Sequence, residues 1–145
     1  ASQCMQVIKP EVADGVTKVL RGVISGFPGS TGAAMAIGRD AAGKTGTTND
    51  SAAVWFSGYT PELEATVWVG DPRGGYRFPM QNIEINGRFY EDVFGSTIPG
   101  PIWKASMLNA LKNVPKTKFK LKLPANVVSD VVIKPEPTPT VTETP

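Results

Sequence analysis

Residues 38 to 48, GRDAAGKTGTT, gather groups able to do chemistry: a lysine amine, three threonine hydroxyls and three glycines. Gly38, Gly43, Lys44 and Thr45 satisfy the phosphate-loop pattern G-x-x-x-x-G-K-[ST], whose backbone N–H groups surround phosphates at the mouth of a helix. The triplet Lys44-Thr45-Gly46 equally suits serine acyl transfer on an edge strand. There the lysine holds a substrate carboxylate or a proton-relaying hydroxyl, and threonine hydroxyls add donors. Glycine clears the strand for substrate, and the next N–H faces a developing oxyanion. The chain has no histidine, so Ser-His-Asp and Cys-His mechanisms are excluded and lysine must carry proton transfer near neutrality.

A phosphate loop requires a helix directly after Lys-Thr. Thr45 is followed instead by Gly46-Thr47-Thr48-Asn49-Asp50, poor helix formers, and then by the strand pattern SAAVWFSGY. Taking TVWVGD, ending at Asp71, as the magnesium-binding strand of a nucleotide hydrolase fails as well, because no crossover helix fits between Thr45 and Thr66. The residues argue against a nucleotide.

The elements that must position this stretch follow from periodicity. Residues 10 to 25 place Val12, Val16, Val19, Leu20, Val23 and Ile24 at helical spacing, an apolar stripe expected to enter a core. FPGSTGAAMAIG, residues 27 to 38, reads as a loop. AGKTGTT, SAAVWFSGY and LEATVWVG read as three strands whose short connections allow only antiparallel neighbours. In the third, Leu63, Ala65, Val67 and Val69 alternate with Glu64, Thr66, Trp68 and Gly70, which predicts one dry face. Residues 71 to 100 carry closely set turn signals, including Asn86-Gly87, and predict an irregular excursion with short extended pieces. A second helix spans 101 to 114, with Trp103, Met107, Ala110 and Leu111 on one face, and Pro115 ends it. KFKLKLP, with lysines at 118, 120 and 122, reads as an edge strand whose lysines discourage further pairing, in preference to a polyanion-binding strand. KPEPTPTVTETP, from Lys134, reads as a disordered tail.

Length and composition suit one domain: 145 residues, 41% hydrophobic, formal net charge +2. The near-neutral total gives no case for nucleic acid. Cys4 is the single cysteine and reads as a small core or loop thiol, with no internal disulfide. No apolar run is long enough to span a bilayer. Trp55, Trp68 and Trp103 read as core or groove-wall aromatics, and Asp71, Glu91 and Asp92 as turn or surface acids, with no metal or other cofactor implied.

Taken together, CMQVIKPEVADGVTKVLRGVISG, AAGKTGTTNDSAAVWFSGYTPEL, TVWVGD and GSTIPGPIWKASM, in that order, make the chain resemble the C-terminal part of the transpeptidase domain of penicillin-binding proteins, especially the bifunctional class A type. The resemblance covers most of residues 4 to 112. It implies an α+β, β-lactamase/transpeptidase-like fold, with three strands of a central five-stranded antiparallel sheet present here and helices flanking both faces. It implies serine acyl transfer that cross-links peptidoglycan stem peptides ending in D-Ala-D-Ala, inhibited by β-lactams, at the extracytoplasmic face of the bacterial membrane. Lys44 and Thr47 would be catalytic, Thr47 through its N–H; Thr45, Gly46, Thr47 and Thr48 would bind substrate or β-lactam.

None of the eight serines has a lysine three positions later, and no S-x-N or Y-x-N triplet occurs. The nucleophile and second motif are therefore expected upstream, on the rest of the transpeptidase domain, as is any membrane anchor, and the isolated chain is expected to be inactive and poorly folded. The expected organisation is a transpeptidase portion over 1–115, an extended segment over 116–133 and the tail over 134–145. A non-catalytic scaffolding role for the same fold is the alternative.

Overall fold

The computed structural model describes residues 5–25 and 29–123; Cys4 and the tail lie outside them. Helix α1, Pro10–Ser25, begins on a proline suited to its first turn. Three strands follow, β1 (Ala42–Thr47), β2 (Ala53–Tyr59) and β3 (Glu64–Gly70), then a hairpin of β4 (Gln81–Ile85) and β5 (Arg88–Asp92), and helix α2 (Pro99–Ala110). The first three form an antiparallel meander in the order β1-β2-β3, as their short connections require.

Each turn has a chemical reason. Between β1 and β2 the Thr48 hydroxyl accepts from Ala53 N–H at 2.7 Å. Between β2 and β3 the Thr60 hydroxyl accepts from the N–H groups of Glu62 and Leu63 at 3.2 and 3.1 Å. Asn86 and Gly87, with φ of 53° and 77°, form the two-residue turn of β4-β5. The excursion expected over 71 to 100 thus contains a regular hairpin.

Register decides which face is dry. Val54, Phe56 and Gly58 of β2 stand opposite Val69, Val67 and Ala65 of β3, and the two helices meet this face. Ile24 of α1, Trp103 and Met107 of α2 and Leu111 at its C-terminal cap join Met35, Ile37, Ala41 and Phe56 in one buried cluster. Trp103 lies 5.0 Å from the Phe56 ring and its indole N–H donates to Gly58 O at 3.0 Å. At the far end of the same face Val54 packs with Met80, Val93 and the β4-β5 hairpin. The opposite face, with Lys44, Trp55, Ser57, Thr66 and Trp68, is open, so among the described residues helical cover is present on one side of the sheet.

Further expectations change. Helix α2 begins at Pro99 and ends at Ala110, short of the expected end at residue 114 before Pro115, and Ala110 is exposed. Only Thr17 and Ile24 of α1 are buried, while Val12, Val16 and Val19 are more than half exposed. A helical period reports that a stripe wants a partner, and here the described residues supply one only at the helix's C-terminal end. Residues 118 to 123 pair with no strand. Carboxylates take their place: Glu62 accepts from Thr117 N–H (2.8 Å) and the Thr117 hydroxyl, Asp40 from Phe119 N–H (3.0 Å), and Asp14 from Lys122 N–H (2.7 Å). Phe119 meets Tyr59 edge-on at 5.6 Å, and Tyr59 shares a 2.9 Å hydroxyl contact with Thr17. The segment is a strap across α1, the approach to β1 and the β2-β3 turn. Arg39, nearly buried, completes the clasp by pairing with Glu62 at 3.3 Å and donating to Leu111 O and Val114 O.

A methyl group on Gly58 would fall 2.7 Å from the Trp103 ring. Gly58→Ala, introduced in the full-length protein, is therefore expected to lower stability by about 1–3 kcal/mol through overpacking, read from the denaturation midpoint. The Thr117 hydroxyl foremost, helped by the Thr60 hydroxyl, Thr117 N–H and Arg39 against the cost of desolvation, holds the Glu62 carboxyl down to about 2 from 4.5. The depressed value means that the strap's attachment at Glu62 is complete above about pH 4.5 and is lost as pH falls from there toward about 2. The protection of the Thr117 amide, its exchange rate relative to the unstructured chain at the same pH, should fall as pH drops across that window, and Glu62→Gln should remove that fall; an equal fall in both proteins would contradict the assignment.

Candidate functional site

β1 is an edge strand that pairs with β2 alone. Thr48 N–H donates to Ala53 O at 3.0 Å, and Thr48 and Ala53 stand at the next rung of the β1-β2 register. Hydrogen-bonded and non-bonded pairs alternate in an antiparallel ladder. Gly46 opposite Trp55 and Lys44 opposite Ser57 therefore turn their backbone groups toward β2. The N–H and C=O groups of Thr45 and Thr47 point the other way, to the free edge. Lys44 marks that edge independently, because its amine curls over to donate to Thr45 O at 2.9 Å and to the Thr45 hydroxyl at 3.3 Å.

Side chains alternate as the backbone does. Lys44 and Gly46 share the open face with Ser57 and Trp55; Thr45 and Thr47 share the other face with Phe56 and Val54. Both sets meet solvent at the edge, so an amine, two hydroxyls and outward N–H groups line one strip. Lys44 is exposed and takes part in no ion pair among the described residues. The Thr45 hydroxyl donates to that of Thr31 at 3.2 Å. Thr47 is exposed. Thr48 caps the following turn, its hydroxyl engaged with Ala53, and so shapes the end of the strip.

Three further residues shape it and were invisible in the motif. Thr31 comes from a loop tied to α1 by Gly32 N–H on Val23 O (3.2 Å) and to α2 by Lys104 on Ala34 O (2.8 Å). Trp55 flanks Gly46: a methyl group there would lie 3.2 Å from the Trp55 Cβ. Trp55 in turn meets Trp68 edge-on at 6.3 Å, so these two tryptophans form a half-exposed wall while Trp103 is core. Gly95 supports β1 and β2 from beneath, since a methyl on it would fall 2.2 Å from Trp55 O and 3.1 Å from Gly46 N and O. Only register and loop packing reveal these neighbours.

The phosphate-loop pattern finds no matching geometry. After Lys44-Thr45 the chain finishes an edge strand, makes a single helical turn over Asn49–Ser51 and enters β2. Gly38, at φ 70°, accepts from the Lys116 amine at 3.0 Å as part of the clasp. Asp71 is a turn acid: Arg73 donates to it at 2.7 Å and holds its carboxyl down to about 2 from 3.8. Among the described residues no group of histidine, cysteine, aspartate or glutamate could hold a metal.

No protein-family model matches the chain. It is 40% identical over 119 residues to penicillin-binding protein 1A of Mycobacterium tuberculosis, a match covering 79% of this chain and 13% of that protein. It is 35% identical over 125 residues to penicillin-binding protein 1A of Neisseria meningitidis, covering 86% and 14% respectively. The crystal structure of penicillin-binding protein 1A from Haemophilus influenzae superposes with a TM-score of 0.58 at 31% identity, over 79% of this chain and 17% of that one. The chain thus spans roughly one seventh of the curated relatives it matches.

The ladder assignment has a direct test. Proline at 47 removes an N–H that bonds no neighbouring strand, whereas proline at 46 removes one that bonds β2. Gly46→Pro, which leaves Trp55 O without its ladder donor, is expected to lower the full-length protein's stability by about 1–3 kcal/mol and Thr47→Pro by clearly less, measured by chemical denaturation. A larger loss for Thr47→Pro than for Gly46→Pro would mean that the ladder runs in the other phase.

Proposed function

Because the chain is homologous to one part of penicillin-binding protein 1A, we propose that it is the segment of a peptidoglycan D,D-transpeptidase that carries the Lys-Thr-Gly wall of the acyl-transfer groove. The observation that carries this reading is the free edge of β1, where the outward N–H of Thr47 lies beside the Lys44 amine and the Thr45 and Thr47 hydroxyls. A penicillin-binding transpeptidase segment needs its substrate-binding strand unpaired on one edge, and β1 meets that requirement among the described residues.

In this reading the serine hydroxyl on the upstream part of the domain attacks the carbonyl of the penultimate D-alanine of a stem peptide. The Thr47 N–H receives the developing oxyanion, a donor of the kind worth about 3–4 kcal/mol in acyl-transfer enzymes. D-alanine leaves, and an amine from a neighbouring stem peptide then displaces the serine to complete the cross-link. The Thr45 and Thr47 hydroxyls hold the terminal carboxylate, Lys44 adds positive charge there and steadies a proton-relaying hydroxyl, and Gly46 keeps the strand clear. Thr48 bounds the groove through the turn it caps. A β-lactam enters as a mimic of the same peptide and leaves the serine acylated. The partners are thus the remainder of the transpeptidase domain, stem peptides and β-lactams, and the location is the extracytoplasmic face of the membrane.

Acylation of the full-length protein by a fluorescent penicillin tests the proposal. Label on the protein is expected, with the acylation rate lowered about 10²–10³-fold by Thr47→Pro and by at least tenfold in Lys44→Ala. Absence of label in the parent would favour a scaffolding role, and full-rate labelling of both variants would remove β1 from the site.

A further inference from the structure

The net charge of +2 conceals a marked local imbalance. From Val93 to Ser129 there is no aspartate or glutamate, while lysine stands at 104, 112, 116, 118, 120 and 122. Four of these fall at alternate positions of the strap. Exposure alternates with them: Lys118, Lys120 and Lys122 are exposed, whereas Phe119, Leu121 and Leu123 are half-buried. At the rise of an extended chain the amines attach about 6.6 Å apart in a single file.

The carboxylates beneath this file are already engaged. Asp14, Asp40 and Glu62 accept backbone N–H groups of the strap, and Asp40 and Glu62 also pair with Arg21 and Arg39. The amines of Lys118, Lys120 and Lys122 have no hydrogen-bond partner among the described residues, whereas that of Lys116 turns in to Gly38 O. Beside the file runs a groove of about 530 Å³, lined by Arg21, Arg39, Asp40, Lys116 and Lys118 among others. Arg21, part of that lining, uses Nε for Asp40, and its two terminal nitrogens have no hydrogen-bond partner among the described residues.

We propose that the strap is a docking surface for an extended, non-nucleic phosphodiester polymer, a polyol phosphate chain. A line of ammonium groups at even spacing matches a flexible polymer that carries one negative charge per repeat, and lysine binds phosphate as a compact point charge. The apolar side chains of the strap face inward, so none is offered for insertion into a bilayer. Phe119 is half-buried and packs edge-on against Tyr59, so the file presents no free aromatic surface on which bases could stack, as single-stranded nucleic acid would require. The surface lies apart from the Lys44 edge and does not depend on the transpeptidase reading.

Titrating the full-length protein with poly(glycerol phosphate) at 50 to 200 mM salt tests this, with inorganic phosphate, phosphatidylglycerol/phosphatidylcholine vesicles and a single-stranded oligonucleotide as competing probes. The polymer is expected to bind more tightly than any of these at equal phosphate. Lys118→Gln/Lys120→Gln/Lys122→Gln should weaken it at least tenfold at 50 mM salt and flatten the log–log salt slope by about 2, given roughly 0.7 per phosphate contact on a single strand, with the denaturation midpoint unchanged. Adding Arg21→Gln should weaken it further. No polymer binding, the same affinity and slope in the triple variant, or tighter binding of vesicles or oligonucleotide would each overturn the proposal.

Discussion

The contact between Trp103 and Gly58 is the constraint on which the remaining structure depends. The indole can reach the Gly58 carbonyl and the Phe56 ring only because β2 has no side chain at position 58. That approach seats α2 flat on the sheet, and Met107 and Leu111, one and two turns further along, fall onto the same cluster. Pinning α2 also pins what precedes and faces it. Gly95, just before the helix, comes under β1 and β2, and Lys104 holds the loop that delivers Thr31 to the edge of β1.

Seen from this contact, the edge of β1 is supported from several directions. Gly95 bears on its backbone from below, Thr31 meets Thr45 from the side, and Trp55 flanks Gly46 on the open face. The clasp of Arg39, Asp40 and Glu62 with the strap fixes the point at which β1 starts. In the proposed acyl-transfer role such an edge would receive developing charge, which favours donors that need no rearrangement, and a strand supported from beneath and beside suits that role. The same bracing leaves Lys118, Lys120 and Lys122 exposed, because the N–H groups of Thr117, Phe119 and Lys122 are engaged by carboxylates and Phe119, Leu121 and Leu123 are half-buried.

Much of this was legible locally. The turn chemistry of Thr48, Thr60 and Asn86-Gly87, the half-buried face of β3 at Ala65, Val67 and Val69 and the inward face of α2 at Trp103 and Met107 follow from rules that act over a few residues, whereas Leu63 and Ala110, expected on those faces, are exposed. The stripe of α1 and the alternation of KFKLKLP were legible as patterns but not as outcomes. Val12, Val16 and Val19 have the period of a buried face without a partner among the described residues. Residues 118 to 123 have the period of a strand, yet the N–H groups of Phe119 and Lys122 go to carboxylates 79 and 108 positions away in sequence. A period states which side chains share a face; what covers that face is a matter of distant chain.

By itself the sequence determined the chemical inventory: a histidine-free chain, a Lys-Thr-Gly edge followed by no helix, an antiparallel meander forced by short connections, and no serine in an S-x-x-K setting. Only the tertiary structure decided which way the inventory points. The phase of the β1-β2 ladder turns Thr47 N–H outward and Gly46 N–H inward. The approach of Gly95 and Trp55 makes Gly46 a spacing requirement, and the strap leaves three alternating lysines, 118, 120 and 122, exposed. The physical reason is that side-chain period is a local property of the backbone, whereas register, close approach and burial are set by contacts between residues far apart in the chain.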